Sequence, residues 1–226
     1  MNWIFTTAIV IILLIAGFML FFFMPKPTVF FDPYKDVTDI LTPQYDAIKK
    51  ESLQDCITPV IPIYGFGDAK TSKYPDILSI VKTVPGIRLA GIINIKPKFQ
   101  QVKEYGLAAL ANRTVRHFYT IQESAGHKSG IWIDGEKKFF DTKGYVCGDM
   151  SREHSLFNKD KERAATVLFL DVDRDQSMGN SPNIDINKDE ILKMFVMVDK
   201  YDPDDDPDEN NEKEIEETRL TEDPSE

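Results

Sequence analysis

Three histidines, His117, His127 and His154, and two cysteines, Cys56 and Cys147, are all the imidazole and thiol in the 226-residue chain. Histidine-based metal chemistry is therefore confined to one site. Two cysteines are too few for a disulfide framework or a structural zinc centre. Cys147 closes the apolar run Gly144-Tyr-Val-Cys147 and reads as core rather than nucleophile. Asp171-Val-Asp-Arg-Asp175 opens like a calcium loop, but the sixth and twelfth positions, which need glycine and glutamate, are Gln176 and Pro182. Gly65-Phe-Gly67 lacks the third glycine and the following helix of a dinucleotide-binding turn. Any chemistry is left to what the middle of the chain gathers around its histidines.

That middle is rich in strand patterns. Ile57 to Tyr64 is extended by its prolines, and Tyr74 to Lys82 reads as a short helix with Ile77, Ile80 and Val81 on one side. Ile87–Ile95 and Thr114–Ile121 carry the β-branched and aromatic residues of strands. Ile131 to Phe140 is a hairpin turned by Asp134-Gly135. Gly144–Cys147 is a short strand, and the run through Leu168-Phe-Leu-Asp171 is a buried one. Short strands at this spacing predict a mainly β sandwich or barrel. A helix over Asn187–Val198 closes the body.

In their order, several segments resemble the aspartyl/asparaginyl β-hydroxylase family. They are Val84-Pro-Gly-Ile-Arg-Leu-Ala90, the arginine-bearing strand, the Asp-Gly hairpin, Gly144-Tyr-Val-Cys-Gly-Asp-Met-Ser-Arg-Glu-His154 and Leu168-Phe-Leu-Asp171. The resemblance implies a double-stranded β-helix (jelly-roll) domain with a few flanking helices. It also implies an iron(II)- and 2-oxoglutarate-dependent dioxygenase that hydroxylates a peptidyl side chain. His154 matches the second metal histidine. Counted from Pro97, Glu104 stands where the first metal histidine is expected, with Gly106 fitting the glycine after it; a carboxylate can also ligate iron. Arg116 matches a strand arginine that holds 2-oxoglutarate. The second co-substrate arginine falls at Ala165, so Arg163 is the expected substitute, since a guanidinium pairs with a carboxylate through two hydrogen bonds. Phe118 replaces a family histidine. A one-residue shift would bring His117 there and turn the strand over, and the sequence leaves that register open. The paired aspartates before the family histidine are reduced to Asp149. A divergent enzyme and a non-catalytic structural or interaction module both follow from this pattern.

The ends of the chain differ from the body. Residues 199–226 hold 14 of the 37 acidic and 3 of the 27 basic residues, so the formal net charge of −10 belongs to a tail, and residues 1–198 net +1. A neutral body argues against a nucleic-acid binder. Residues 201–226 predict a disordered acidic arm that could dock a basic partner. Trp3–Met24 is uncharged and long enough to span a bilayer. No basic residue precedes it, as a signal peptide would require. It predicts a single-pass membrane anchor over 3–24, with a proline-broken stalk over 25–50, a domain over 51–200 and the body on the cytoplasmic side. A protein or peptide is the expected substrate or partner.

Overall fold

Strands β3 (Ile87–Ile95) and β10 (Ala165–Asp173) lie side by side antiparallel and are buried along all nine residues of each. The computed structural model, which describes residues 27–66, 73–175 and 197–198, shows that both faces of this pair are covered. The first sheet runs β1 (Phe30–Phe31), β8 (Tyr145–Gly148), β5 (Thr114–Gln122), β10, β3, β2 (Val60–Tyr64). The second runs β11 (Met197–Val198), β4 (Phe99–Gln101), β9 (His154–Asn158), β6 (Ser129–Ile133), β7 (Glu136–Phe139). Every pairing is antiparallel. Strands β3, β5, β8 and β10 build the first sheet while β4, β6, β7 and β9 build the second. This winding, eight strands passing between two sheets, is a jelly roll.

Between the sheets Leu89, Ile93, Phe118, Val167 and Phe169 meet Phe99, Ile131, Ile133 and Leu156. The hairpin turn forms at Asp134 and Gly135, with φ of 48° and 92°, the conformation that a two-residue turn requires. Gly148 is a point of close approach: a Cβ there would lie 2.4 Å from Ile133 Cδ1 of the facing sheet.

Residues expected to form a stalk pack instead on the outer face of the first sheet. Helices α1 (Lys35–Leu41), α2 (Tyr45–Ser52) and α3 (Pro75–Val81) bury Val37, Leu41, Tyr45, Ile48, Ile77 and Val81 against Ala90, Ile92, Tyr119, Leu168 and Leu170. Of the prolines that suggested a stalk, Pro27 and Pro33 precede α1, and Pro25 lies outside the described residues. Pro43 sits in the one-turn 3-10 segment joining α1 to α2, and the apolar residues keep helical spacing on either side. Glu51, almost fully buried, caps α3 by accepting the amides of Asp76 (3.1 Å) and Ile77 (2.9 Å).

The expected anchor over 3–24 and acidic arm over 201–226 lie outside the described residues, as does most of the expected helix over Asn187–Val198. Its last two residues, Met197 and Val198, pair with β4 as a strand. The single-pass membrane placement with a cytoplasmic body is corrected: no helix among the described residues is long and apolar enough to cross a membrane. The longest, α2, has 8 residues, against about 20 for a bilayer core.

Candidate functional site

Past Gln101 the chain leaves β4 and meets the start of β9 once more. Glu104 and His154 form a two-way bridge there: the Glu104 amide donates to the His154 carbonyl at 3.0 Å and the His154 amide to the Glu104 carbonyl at 2.8 Å. Directly opposed residues of an antiparallel pair project to the same face. That face is inward, because β9 pairs His154 with Ile133 and Leu156 with Ile131, all buried. His154 Nδ1 lies 2.9 Å from the Arg152 carbonyl, which can only accept, so Nδ1 carries the proton and Nε2 the lone pair. Burial pulls the His154 pKa down to about 4 against the opposing effect of that carbonyl; the Arg116 charge lowers it further and Asp171 raises it. Burial likewise raises Glu104 to about 7, opposed by the Arg116 charge and by a hydrogen bond from Gln101.

Arg116 faces the same interior from β5, which settles the open register. Its Nε and Nη2 donate to the two carboxylate oxygens of Asp171, both at 2.7 Å, and its guanidinium lies 4.9 Å over the Phe169 ring. His117 points the other way, accepting the Tyr34 amide at Nε2 (3.2 Å) and donating from Nδ1 to the Val115 carbonyl (3.2 Å). Arg163 is not brought to this cluster. It is exposed in the loop before β10, its amide donating to Asp160 and its carbonyl accepting from Asn158. Cys147 is buried core, its thiol pushed up to about 12 mainly by burial.

Between Arg116 and Ala165 the inward face of the first sheet carries Phe118, Val167 and Phe169. Phe140 packs against Phe118 at 5.6 Å and Phe66 edge-on to Phe169 at 6.4 Å between centroids. All five are core residues, essentially without exposure. Beside the Arg116–Asp171 pair, Leu107, Leu110, Thr114 and Met150 wall a space too small for a water molecule.

The residues fit the two groups implied by the resemblance unequally. An imidazole with its lone pair on Nε2 and a facing carboxylate are donors suited to an iron(II)-class ion. They number two, since no group of three or more His, Cys, Asp or Glu gathers as a cage among the described residues. 2-Oxoglutarate does not fit: the Nε edge of Arg116 holds Asp171, no arginine stands at Ala165, and aromatic rings fill the interior between them. Neither Asp171 as the partner of Arg116 nor Gln101 as the partner of Glu104 is signalled by a motif in the sequence. Phe118 was the one visible sign of the filled interior.

The buried imidazoles make a pH prediction. A histidine whose folded pKa lies near 4 rather than 6.5 loses stability as pH falls through that window, because the unfolded chain takes the proton first. Glu104, raised from 4.5 to about 7, acts oppositely: its contribution is present at low pH and lost as pH rises through 7. His154 and Glu104 nearly cancel, leaving His117, lowered mainly by burial, as the uncompensated group. Acidification from pH 6.5 to 4 should therefore cost on the order of 3 kcal/mol through His117. Denaturant unfolding of the wild type and His117→Asn across this range checks it. An equal slope in both would refute the assignment.

No family model matches the sequence, and neither does any curated protein. Among solved structures the chain is similar to a 2OG-Fe(II) oxygenase family oxidoreductase from Burkholderia pseudomallei, 12% identical over 48% of this chain and 53% of that one, with a TM-score of 0.33. A cupin protein from Bacteroides fragilis is 11% identical over 43% of this chain and 75% of that one, at 0.32. The plu4264 protein from Photorhabdus luminescens is 13% identical over 39% of this chain, at 0.31, and the chain spans 65% of its length. Membership of the aspartyl/asparaginyl β-hydroxylase family is not shown by these likenesses, and the jelly roll follows from the chain's own strand order.

Proposed function

We propose that this is a dioxygenase-like double-stranded β-helix protein that holds a divalent ion of the iron(II) class through Glu104 and His154 and does not use 2-oxoglutarate. The observation that carries it is the Glu104–His154 bridge, which turns a carboxylate and a neutral imidazole to one side at the end of the barrel. A bound ion would supply Lewis acidity and open coordination positions. The chain's own contribution is to fix the imidazole tautomer through Arg152, to bury His154 and to half-bury Glu104, which strengthens electrostatic attraction. Peptidyl hydroxylation coupled to 2-oxoglutarate has no support from the interior, since the co-substrate's place is core.

A second reading, the non-catalytic interaction module, is favoured by that same aromatic filling: the jelly roll would serve as a platform for a protein partner. Anaerobic iron(II) titration separates the two. Stoichiometric binding that disappears in His154→Ala is expected, unchanged by added 2-oxoglutarate. A wild-type protein that binds no ion leaves the platform reading, and tight 2-oxoglutarate binding overturns both.

A further inference from the structure

We infer that Gln101 is the positioning residue of the Glu104–His154 pair, an amide clamp that fixes the Glu104 carboxylate relative to β9. The inference rests on the metal reading above. Gln101 ends β4 and is 3% exposed. Its side-chain Oε1 accepts the Leu156 amide at 3.1 Å, and its backbone carbonyl accepts the Ser155 hydroxyl at 2.5 Å. A backbone N–H can only donate, so it fixes which end of the amide faces β9, and the NH2 end is presented to Glu104 Oε1, to which it donates.

Leu156 and Ser155 belong to the strand that begins with His154. Both donors are thus referenced to one strand: His154 by its place in β9, Glu104 through Gln101 and the backbone bridge. The neighbours of Glu104 show the need for such a clamp. Val102 and Tyr105 are 52% and 66% exposed, so Glu104 is turned inward from a solvent-facing segment. A neutral amide also suits this task better than lysine or arginine, because it orients the carboxylate without cancelling the charge that attracts a cation.

Iron(II) and cobalt(II) titrations of the whole protein test the clamp, with a circular dichroism melt of each metal-free variant. Gln101→Leu should bind both ions about 10–100-fold more weakly, the effect typical of losing a hydrogen-bond partner of a ligand, and should change the visible spectrum of the cobalt(II) form. Gln101→Met, closer in length, replaces it if the leucine variant does not fold. In a Glu104→Ala background Gln101→Leu should cost no further affinity, since the clamp then has nothing to hold. Unchanged affinity in a folded Gln101 variant of a metal-binding protein overturns the inference. A wild type that binds neither ion instead overturns the metal reading on which it rests.

Discussion

Asp171→Ala should destabilise the folded domain by about 3–5 kcal/mol, the cost of leaving a buried charge without its partner. Arg116 is 4% exposed and Asp171 2%, so water cannot replace the lost carboxylate. Glu104 is the carboxyl whose charge also acts on Arg116, but it is held by Gln101 and by the backbone bridge to His154. Phe169 presents a ring face to the guanidinium, and His154, whose pKa lies near 4, is neutral at pH 7. Replacing both partners with apolar residues, Arg116→Met with Asp171→Leu, removes the charge as well as the pairing and should cost markedly less than the single change. Guanidinium unfolding of the three variants measures the difference. A double variant no more stable than Asp171→Ala would show that the pair stabilises the fold by its own attraction.

The same pair marks where sequence reading stops. Strands β3, β5 and β10 were legible because Ile, Val and aromatic runs have few other uses, and the β6–β7 hairpin because Asp134-Gly135 suits only a tight turn. The prolines of the expected stalk were misleading: Pro33 precedes α1 and Pro43 joins it to α2, helices whose apolar face, Val37 to Ile48, is completed only by the outer face of a sheet formed later in the chain. Glu104 and His154 were singled out only through a resemblance in the order of motifs; the structure sets the two opposite each other in an antiparallel bridge. The partner of Arg116 was not legible, because it depends on register. β10 has bulges against both neighbours, at Thr166/Val167 and Asp171/Val172, and a one-residue slip would place Leu170 opposite Arg116 instead of Asp171. Nor could the filled interior be read, since Phe66, Phe118, Phe140 and Phe169 come from four separate segments that meet only in the closed barrel.

Phe169→Ala should cost about 3–5 kcal/mol, the usual loss when a buried phenyl ring is deleted from a packed core. Phe169 has no measurable exposure and lies edge-on to Phe66. The fold has made room for it: a Cβ at Gly91 on the adjacent strand would sit 2.7 Å from Phe169 Cε1. Phe169→Leu should cost clearly less, because it retains most of the filling volume. The truncated variant also distinguishes a core from an obstructed pocket. Its cavity would be walled by apolar groups on the side of Phe66, Phe118 and Val167, with the Arg116–Asp171 pair at its other edge, so its apolar part should accept xenon. It should not gain affinity for 2-oxoglutarate, because Asp171 still holds Arg116 and position 165 is still alanine. Calorimetric titration with 2-oxoglutarate beside xenon-induced chemical-shift changes reads both outcomes. Binding of 2-oxoglutarate by Phe169→Ala would mean that the ring closes a functional co-substrate pocket, in which case the arginine on β5 would be poised for a ligand and its pairing with Asp171 would be a resting state rather than a permanent part of the core.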